Sequence, residues 1–339
     1  MAKQQEPSDI PIYPGDIVKE FYTIQRQIGA GTYGTIFSAL YQNGSVTKHC
    51  AIKFQKEIKH IQLLANEVMV MTSMQGSVHF AKFYESGIYE SFRFVSMELL
   101  GPSIIQVVNR RRPYMFTLLQ MLKFGVQSME AIREMHKAGI VHRDIKPDNF
   151  VIGNTKKTAG TIYIIDFGLC KKMQMRYGKL IKPTQPSSFR GTMRYASPKA
   201  HIQKELGRSD DLISLLYMMT EFYVGKLPWS GIYDHDEVYR LKQQFLHGRL
   251  LTRMPTEFQT FEDHIFSLDY LDKPNYTMLT QLLYSAASKA GIDLNDPFEW
   301  EEEIKEQREI VLQRQLNELT EIQSRLRLNL LKAKRKVEL

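Results

Sequence analysis

The sequence predicts an α+β protein of two lobes, a small sheet-rich N-terminal lobe and a larger helical C-terminal lobe. Three observations predict it. Up to about residue 100 the chain alternates apolar and polar residues in short runs; beyond it, apolar residues recur at helical spacing. The change falls at Gly101-Pro102, a pair that neither a strand nor a helix interior favours. With 339 residues, the chain can bury a core in each lobe and still carry an appendage.

Residues 1–14 read as an N-terminal extension, beginning with the polar Met1-Ala2-Lys3-Gln4-Gln5-Glu6-Pro7, which is no signal peptide. Strands are expected over Phe21–Ile28, Thr35–Tyr41 and His49–Phe54, the last two joined by the turn residues Asn43-Gly44-Ser45. Ile58, Ile61, Leu64, Val68 and Met71 recur at spacings of three and four and predict a helix. Two further strands are expected around His79–Tyr89 and Phe92–Leu99.

In the second lobe, Thr117-Leu118-Leu119-Gln120 fits a capping box. Leu118, Leu122, Val126, Met129, Ile132 and Met135 then form one apolar face, and Gly139 is placed to end that helix. A buried helix is expected from Asp211 to Val224, on the spacing of Leu212, Leu215, Leu216, Met219 and Phe222. The expected catalytic body spans 15–300, with its lobes meeting near residues 97 and 98. Residues 301–339 read as one charged helix in which Leu312, Leu316, Leu319, Leu326 and Leu330 keep heptad spacing and Gln323 interrupts it. Packing on the body and self-association, or pairing with a partner helix, stay equally open for this tail. Its Lys332-Ala333-Lys334-Arg335-Lys336 end reads as a solvated helix terminus ahead of a nuclear signal or phosphate-binding patch.

No apolar run reaches the length of a membrane span, so no membrane partner is expected. Cys50 and Cys170 build neither a disulfide framework nor a zinc spacing, which suits a reducing compartment: the cytoplasm, with the nucleus second. The net charge is +8, and residues 301–339 hold nine Lys/Arg against eight Glu, so the excess lies in the body. That field suits an anionic nucleotide and acidic or phosphorylated protein substrates, although a generally basic surface explains it nearly as well. Nucleic acid would use the same field, but no recognition motif for it is present, and it is not the expected partner.

The chemistry concentrates in His142-Arg143-Asp144-Ile145-Lys146-Pro147-Asp148-Asn149 and Asp166-Phe167-Gly168. Carboxylates, a lysine and an amide in this register are what phosphoryl transfer from a metal–nucleotide to a hydroxyl requires, since it needs positioning and charge neutralisation more than covalent help. Asp144 is expected to orient the acceptor hydroxyl and take its proton, and Lys146 to reach the transferring phosphate. Asn149 and Asp166 are expected to hold Mg²⁺, with Mn²⁺ as the alternative, through hard oxygens. His142 reads as a structural histidine beneath the loop. Upstream, Gly29-Ala30-Gly31-Thr32-Tyr33-Gly34-Thr35-Ile36 lies between two strands, unlike a dinucleotide-binding loop, which opens a helix. Ala51-Ile52-Lys53 follows, and Lys53 would bind phosphates if a carboxylate fixes it; Glu67 is the expected partner and Glu57 the competitor.

These residues resemble the eukaryotic protein kinase family over about residues 15–300, and Lys146 after Asp144 is similar to its serine/threonine class. Met97-Glu98-Leu99-Leu100-Gly101-Pro102-Ser103 and Gly191-Thr192-Met193-Arg194-Tyr195-Ala196-Ser197 resemble the casein kinase I group. Gly207-Arg208-Ser209-Asp210-Asp211-Leu212, Val224-Gly225-Lys226-Leu227-Pro228-Trp229 and Pro297-Phe298-Glu299-Trp300-Glu301 look nearest its tau-tubulin kinase branch. The resemblance implies a bilobal kinase fold and ATP as phosphoryl donor to Ser/Thr hydroxyls of protein substrates, acidic or phospho-primed. It implies a nucleotide site of Ile28, Gly29, Gly31, Gly34, Ile36, Ala51, Lys53, Glu67, Met97 (gatekeeper), Glu98 and Leu100 (hinge). It also implies that Asp211 anchors the 142–149 loop from below, and that Arg190 and Arg194 receive an acidic or phosphorylated substrate residue.

The chain departs from the pattern in places. Lys199 stands after Ser197-Pro198 where most kinases have glutamate and the group has asparagine, and Asp234, Asp236 and Glu237 stand where relatives are basic. Thr184, Ser187 and Ser188 are candidates for phosphorylation opposite Arg143, although the group ordinarily needs no such switch. Cys170 is expected to be a small buried side chain. The rival reading, a catalytically weak or inactive kinase-fold scaffold acting through its tail, would normally have lost one of Lys53, Asp144, Lys146, Asn149 or Asp166, and all are present.

Overall fold

The computed structural model describes residues 10–31, 34–56, 63–110, 114–177, 179–181, 189 and 191–303. The tail from 304, Arg190, the three candidate phosphorylation sites, Glu57, and Thr32 and Tyr33 of the glycine-rich segment lie outside the described residues.

Six antiparallel strands form the N-terminal lobe: β1 (Ile17–Val18), β2 (Tyr22–Gly31), β3 (Gly34–Asn43), β4 (Val46–Lys56), β5 (Phe83–Tyr89) and β6 (Phe92–Glu98), in the order β1-β2-β3-β4-β6-β5. The expected turn holds: β3 and β4 pair from Asn43 and Val46, and the first turn residue, Gly44, has φ +56°. Tyr22, Phe37, Phe54 and Phe94 fill one side of the sheet. The sequence assigned residues 1–14 to an extension, yet Ile10 and Ile12 are buried in that same cluster, because an aromatic sheet face left uncovered would be exposed to water. Helix α1 (Leu63–Ser73) lies on the other side, and its Leu64, Val70 and Met71 join a core that continues into the second lobe.

The C-terminal lobe begins with α2 (Ile104–Val108) and α3 (Leu118–Lys137). Thr117 and Gln120 form the predicted capping box of α3, and Gly139 follows its end at φ +75°, left-handed backbone that favours glycine. Four short strands come next: β7 (Ile140–Val141), β8 (Phe150–Ile152), β9 (Ile162–Ile164) and β10 (Lys171–Lys172). β7 pairs with β10 and β8 with β9, so residues 142–149 and 165–170 are set side by side between two ladders. The remaining helices are α4 (Pro198–His201), α5 (Arg208–Val224), α6 (His235–Gln244), α7 (Glu257–Ser267) and α8 (Tyr276–Lys289). The helix predicted over 211–224 is α5, with Leu212, Leu215, Leu216, Met219 and Phe222 all buried, and its methionines fill core. Beyond α8, Phe298 and Trp300 stack and sink into this core, where the Trp300 indole N–H donates to the Ala159 carbonyl at 3.0 Å. Among the described residues no helix is long and apolar enough to cross a membrane.

Candidate active site

The glycine-rich segment is a hairpin, as its strand-to-strand context predicted: β2 and β3 pair from Gly29 with Ile36 to Gly31 with Gly34. Gly34 is required there, because a Cβ would lie 2.3 Å from the Phe54 carbonyl oxygen on β4. Lys53 sits next to that point on β4. Its ammonium pairs with Glu67 of α1 and lies 3.5 Å from Asp166 Oδ1. Burial opposes the charge on Lys53, but the two carboxylates outweigh it and the ammonium's pKa is raised. Glu67, buried, is therefore the partner found for Lys53.

Ala51 is buried and pairs with Met97 across the sheet, and Cys50 pairs with Glu98 where β6 ends. From there Leu100 packs on the core and the Gly101 amide donates to the Ile152 carbonyl at 2.8 Å. A Cβ on Gly101 would approach the Ile152 and Gly153 carbonyl oxygens at 3.0 Å, so the link between the lobes is pressed against β8. Ile28, just before the paired Gly29 on β2, is an apolar side chain left 40% exposed.

The 142–149 loop is held from beneath by Asp211 on α5. One carboxylate oxygen accepts the His142 amide (2.7 Å) and the His136 Nε2–H (2.9 Å), and the other accepts the Arg143 amide (2.8 Å). Burial would raise this carboxyl, yet the His136 hydrogen bond and charge, with His142, bring it below the ordinary carboxylate range. The anchoring fixes Arg143 at φ +68°, a conformation uncommon for a side chain of this size. His142 is buried and structural, as expected: Nε2–H donates to the Ile165 carbonyl (3.2 Å), and Nδ1 accepts the Asp144 amide (3.3 Å).

Asp144 is thus presented on a fixed backbone. Its Oδ2 meets Lys146 Nζ at 2.7 Å and its Oδ1 accepts the Thr192 hydroxyl at 2.9 Å. Asn149 Nδ2 donates to the Asp144 carbonyl at 2.9 Å, which commits the amide nitrogen and leaves Oδ1 as the atom that could meet a metal ion. The Ile165 amide donates to the Asn149 carbonyl at 2.9 Å, continuing the β8–β9 ladder and bringing Asp166 alongside. Asp166 stands at φ +63°; burial would raise its carboxyl, but the ammonium groups of Lys53 and Lys146 hold it below the usual range. An ionised carboxylate and an amide oxygen are donors that fit Mg²⁺. Phe167 turns inward, stacked on Phe80 with centroids 5.9 Å apart and edge-on to His142.

Several residues of this site escaped the sequence reading. Gly191, φ +91°, passes so close to the loop that a Cβ would lie 2.7 Å from the Arg143 carbonyl oxygen. Asn66 of α1 donates to the Gly168 carbonyl at 3.0 Å. His136, whose Nδ1 bonds the Tyr276 hydroxyl at 2.7 Å, extends the support of Asp211. Arg143 already faces a carboxylate: Glu205 lies 3.8 Å from its guanidinium and 2.9 Å from Lys171 Nζ. Arg194, half exposed, is drawn to Glu221 at 3.3 Å, so the residue expected to meet substrate is partly committed within the protein. Lys199 donates to the Leu268 carbonyl at the C-cap of α7, where a cation is favourable. Cys170 is buried, as expected, and burial pushes its thiol well up.

The family model described as the protein kinase domain matches residues 22–289. A probable serine/threonine-protein kinase of Dictyostelium discoideum is 35% identical over 287 residues, which cover 85% of this chain and 58% of that protein. The chain therefore spans little more than half the length of that relative. With the bilobal fold and the Lys53–Glu67–Asp166 arrangement, the match over 22–289 establishes that the chain belongs to the protein kinase domain family.

Proposed function

We propose that the protein is an active serine/threonine kinase that transfers the γ-phosphoryl of ATP to hydroxyls of protein substrates. The observation that carries this reading is Lys53 paired with Glu67 and close to Asp166 while Phe167 is packed inward, the two conditions a working kinase cleft must meet together. In this reading the adenine lies between Ile28, Ile36 and Ala51, with Met97 as gatekeeper and Glu98 to Leu100 as hinge. The backbone at Gly29, Gly31 and Gly34 approaches the phosphates, and Lys53 binds those nearest the sugar. Asn149 and Asp166 would hold Mg²⁺, which neutralises phosphate charge when bound. Asp144, with one oxygen fixed by Thr192, orients the substrate hydroxyl and accepts its proton. Lys146 neutralises the carboxylate until the donor's terminal phosphate draws it away.

Within the family we assign the chain to the casein kinase I group, nearest the tau-tubulin branch, on the motifs quoted above. A preference for acidic or primed substrates would have to come from Arg194 in competition with Glu221, together with Arg190. The two buried free thiols, Cys50 and Cys170, suit the cytoplasm or nucleus. The test is transfer of labelled phosphate from ATP–Mg²⁺ to casein and to matched primed and unprimed peptides, with Lys53→Arg as the blank. Transfer abolished in the blank supports the kinase, and a primed-to-unprimed ratio unaltered by Arg194→Ala removes Arg194 from substrate recognition. Folded wild-type protein that binds ATP and transfers nothing would overturn the reading in favour of a scaffold.

A further inference from the structure

Below the 142–149 loop, one layer of side chains away, lies a pocket of about 400 Å³. His136 and Tyr276 form its inner wall, and His136 is the residue that also bonds Asp211. Four cations surround it: Arg133 and Lys137 from the end of α3, Arg208 from the start of α5, and Lys273 just before α8. Among the described residues none of the four makes an ion pair. The nearby Asp211 is taken by His136 and two backbone amides, and the Asp272 carboxylate accepts the Asp269 amide at 2.7 Å.

The cations at the end of α3 have an ordinary explanation, because they complement the negative end of its dipole. Arg208 and Lys273 do not. Arg208 is the first residue of α5, and Lys273 precedes the N-terminus of α8, so each positive charge stands at the positive end of a helix. Arg208 also carries a buried Nε–H with no hydrogen-bond partner, although its Nη2 donates to the Leu271 carbonyl at 3.1 Å. A buried donor left unmet is costly and is rare without a ligand or water to meet it. The N-terminus of α8 adds to the same field. Asn275 caps it by accepting the Met278 amide at 3.0 Å, and the amides of its first turn have no intrahelical acceptor.

We propose that this pocket is a binding site for a phosphate monoester dianion, separate from the nucleotide cleft and from Arg194. Four unneutralised cations and a helix N-terminus supply the donors a phosphate accepts, and a charge of −2 removes their mutual repulsion. The proposal does not depend on the kinase reading. The phosphate is either free in solution or carried on a phosphorylated side chain, and both present the same group to the pocket.

The test is the melting temperature of the full chain with the nucleotide cleft saturated by a non-hydrolysable ATP analogue and Mg²⁺. The probes are inorganic phosphate, a short phosphoserine peptide and its unphosphorylated form, each at ionic strength held constant with chloride. Phosphate or the phosphopeptide is expected to raise the melting temperature by a few degrees at about tenfold its Kd. The shift should disappear in the double variant Arg133→Glu, Lys273→Glu and persist in Arg194→Ala. A phosphopeptide acting at one-tenth the concentration of inorganic phosphate identifies a phosphorylated chain as the source; equal or weaker action identifies the free anion. No shift in the wild type, an undiminished shift in the double variant, or an equal shift from added chloride would overturn the proposal. If the double variant does not fold, Lys273→Ala, an exposed change, must raise the half-saturating phosphate concentration several-fold, and an unchanged value overturns the proposal equally.

Discussion

The two halves of the active site are held by different physics. In the C-terminal half, Asp144 rides on a loop whose backbone is pinned by Asp211, and Asp211 is pinned in turn by His136. Each of these contacts is buried, and each joins groups within one continuous core. In the N-terminal half, Lys53 is positioned by a carboxylate on α1, an element that reaches the sheet only by packing. The first arrangement cannot change without disrupting the lobe. The second is a joint between two elements, and it can open while both survive. The proposed phosphoryl transfer would need that contrast, since its proton acceptor must stay fixed while the nucleotide side admits and releases ligand.

Removing the pinned carboxylate should have the largest effect. Asp211→Ala strands two backbone amides and a histidine in a buried site, a loss of about 3–5 kcal/mol on the scale of breaking a buried pair. Both the urea midpoint and phosphotransfer should fall; a midpoint equal to wild type would mean the loop holds itself. The joint should behave differently. Glu67→Gln removes the charge that fixes Lys53 but leaves Asp166 beside it, so kcat/KM is expected to fall about 10–100-fold, a loss of roughly 1.4–2.7 kcal/mol of transition-state stabilisation. The melting temperature should move by no more than a degree or two, and a drop as large as that of Asp211→Ala would erase the distinction between the halves. Gly191→Ala lies between the two: its Cβ meets the Arg143 carbonyl oxygen at 2.7 Å, so activity should fall by about an order of magnitude with a smaller loss of stability. Steady-state kinetics beside thermal melts separates the outcomes.

The pinned half was also the more legible in sequence. Asp144, Lys146, Asn149 and Asp166 come from two short segments whose spacing alone fixes their order, and the capping box and Gly139 around α3 are local signals. What supports them is not local. Thr192, Gly191 and Glu205 reach the site from 47 to 61 residues past Asp144, and nothing in a threonine, a glycine or a glutamate announces a tertiary partner. His136 was the one with a readable sign, because it falls four residues after Ile132 on the buried face of α3, where an ionisable side chain must find partners. Lys199 looked anomalous only against the family pattern; its acceptor is the carbonyl of Leu268, on a helix the sequence reading did not delimit. Ile10 and Ile12 failed for the opposite reason: a short apolar pair in a polar stretch carries too little periodicity to mark burial.

Two lysines give the comparison its last test. Lys53 has carboxylates beside it and its pKa is raised, whereas Lys242 of α6 is buried with carbonyls instead. Its Nζ donates to the Met193 and Ala196 carbonyls at 2.7 and 2.6 Å, tying down the segment that carries Thr192, and burial pushes the ammonium down to about 7. Because the unfolded chain keeps this lysine near its ordinary 10.5, the unfolded state holds the extra proton between pH 7 and that value. Stability therefore rises with pH across that window, and the contribution is lost as pH falls back toward 7. Lys242→Met removes the titration. The stability of wild type relative to the variant should grow by up to about 1.4 kcal/mol per pH unit between pH 7 and 9 in urea unfolding. The smallest effect is expected at neutral pH, where the charged form still donates to both carbonyls but bears the full cost of burial. A difference that does not change with pH would mean that the two carbonyls and the Tyr217 and Trp229 rings, each 5.3 Å from Nζ, compensate the buried charge as fully as Glu67 and Asp166 do for Lys53.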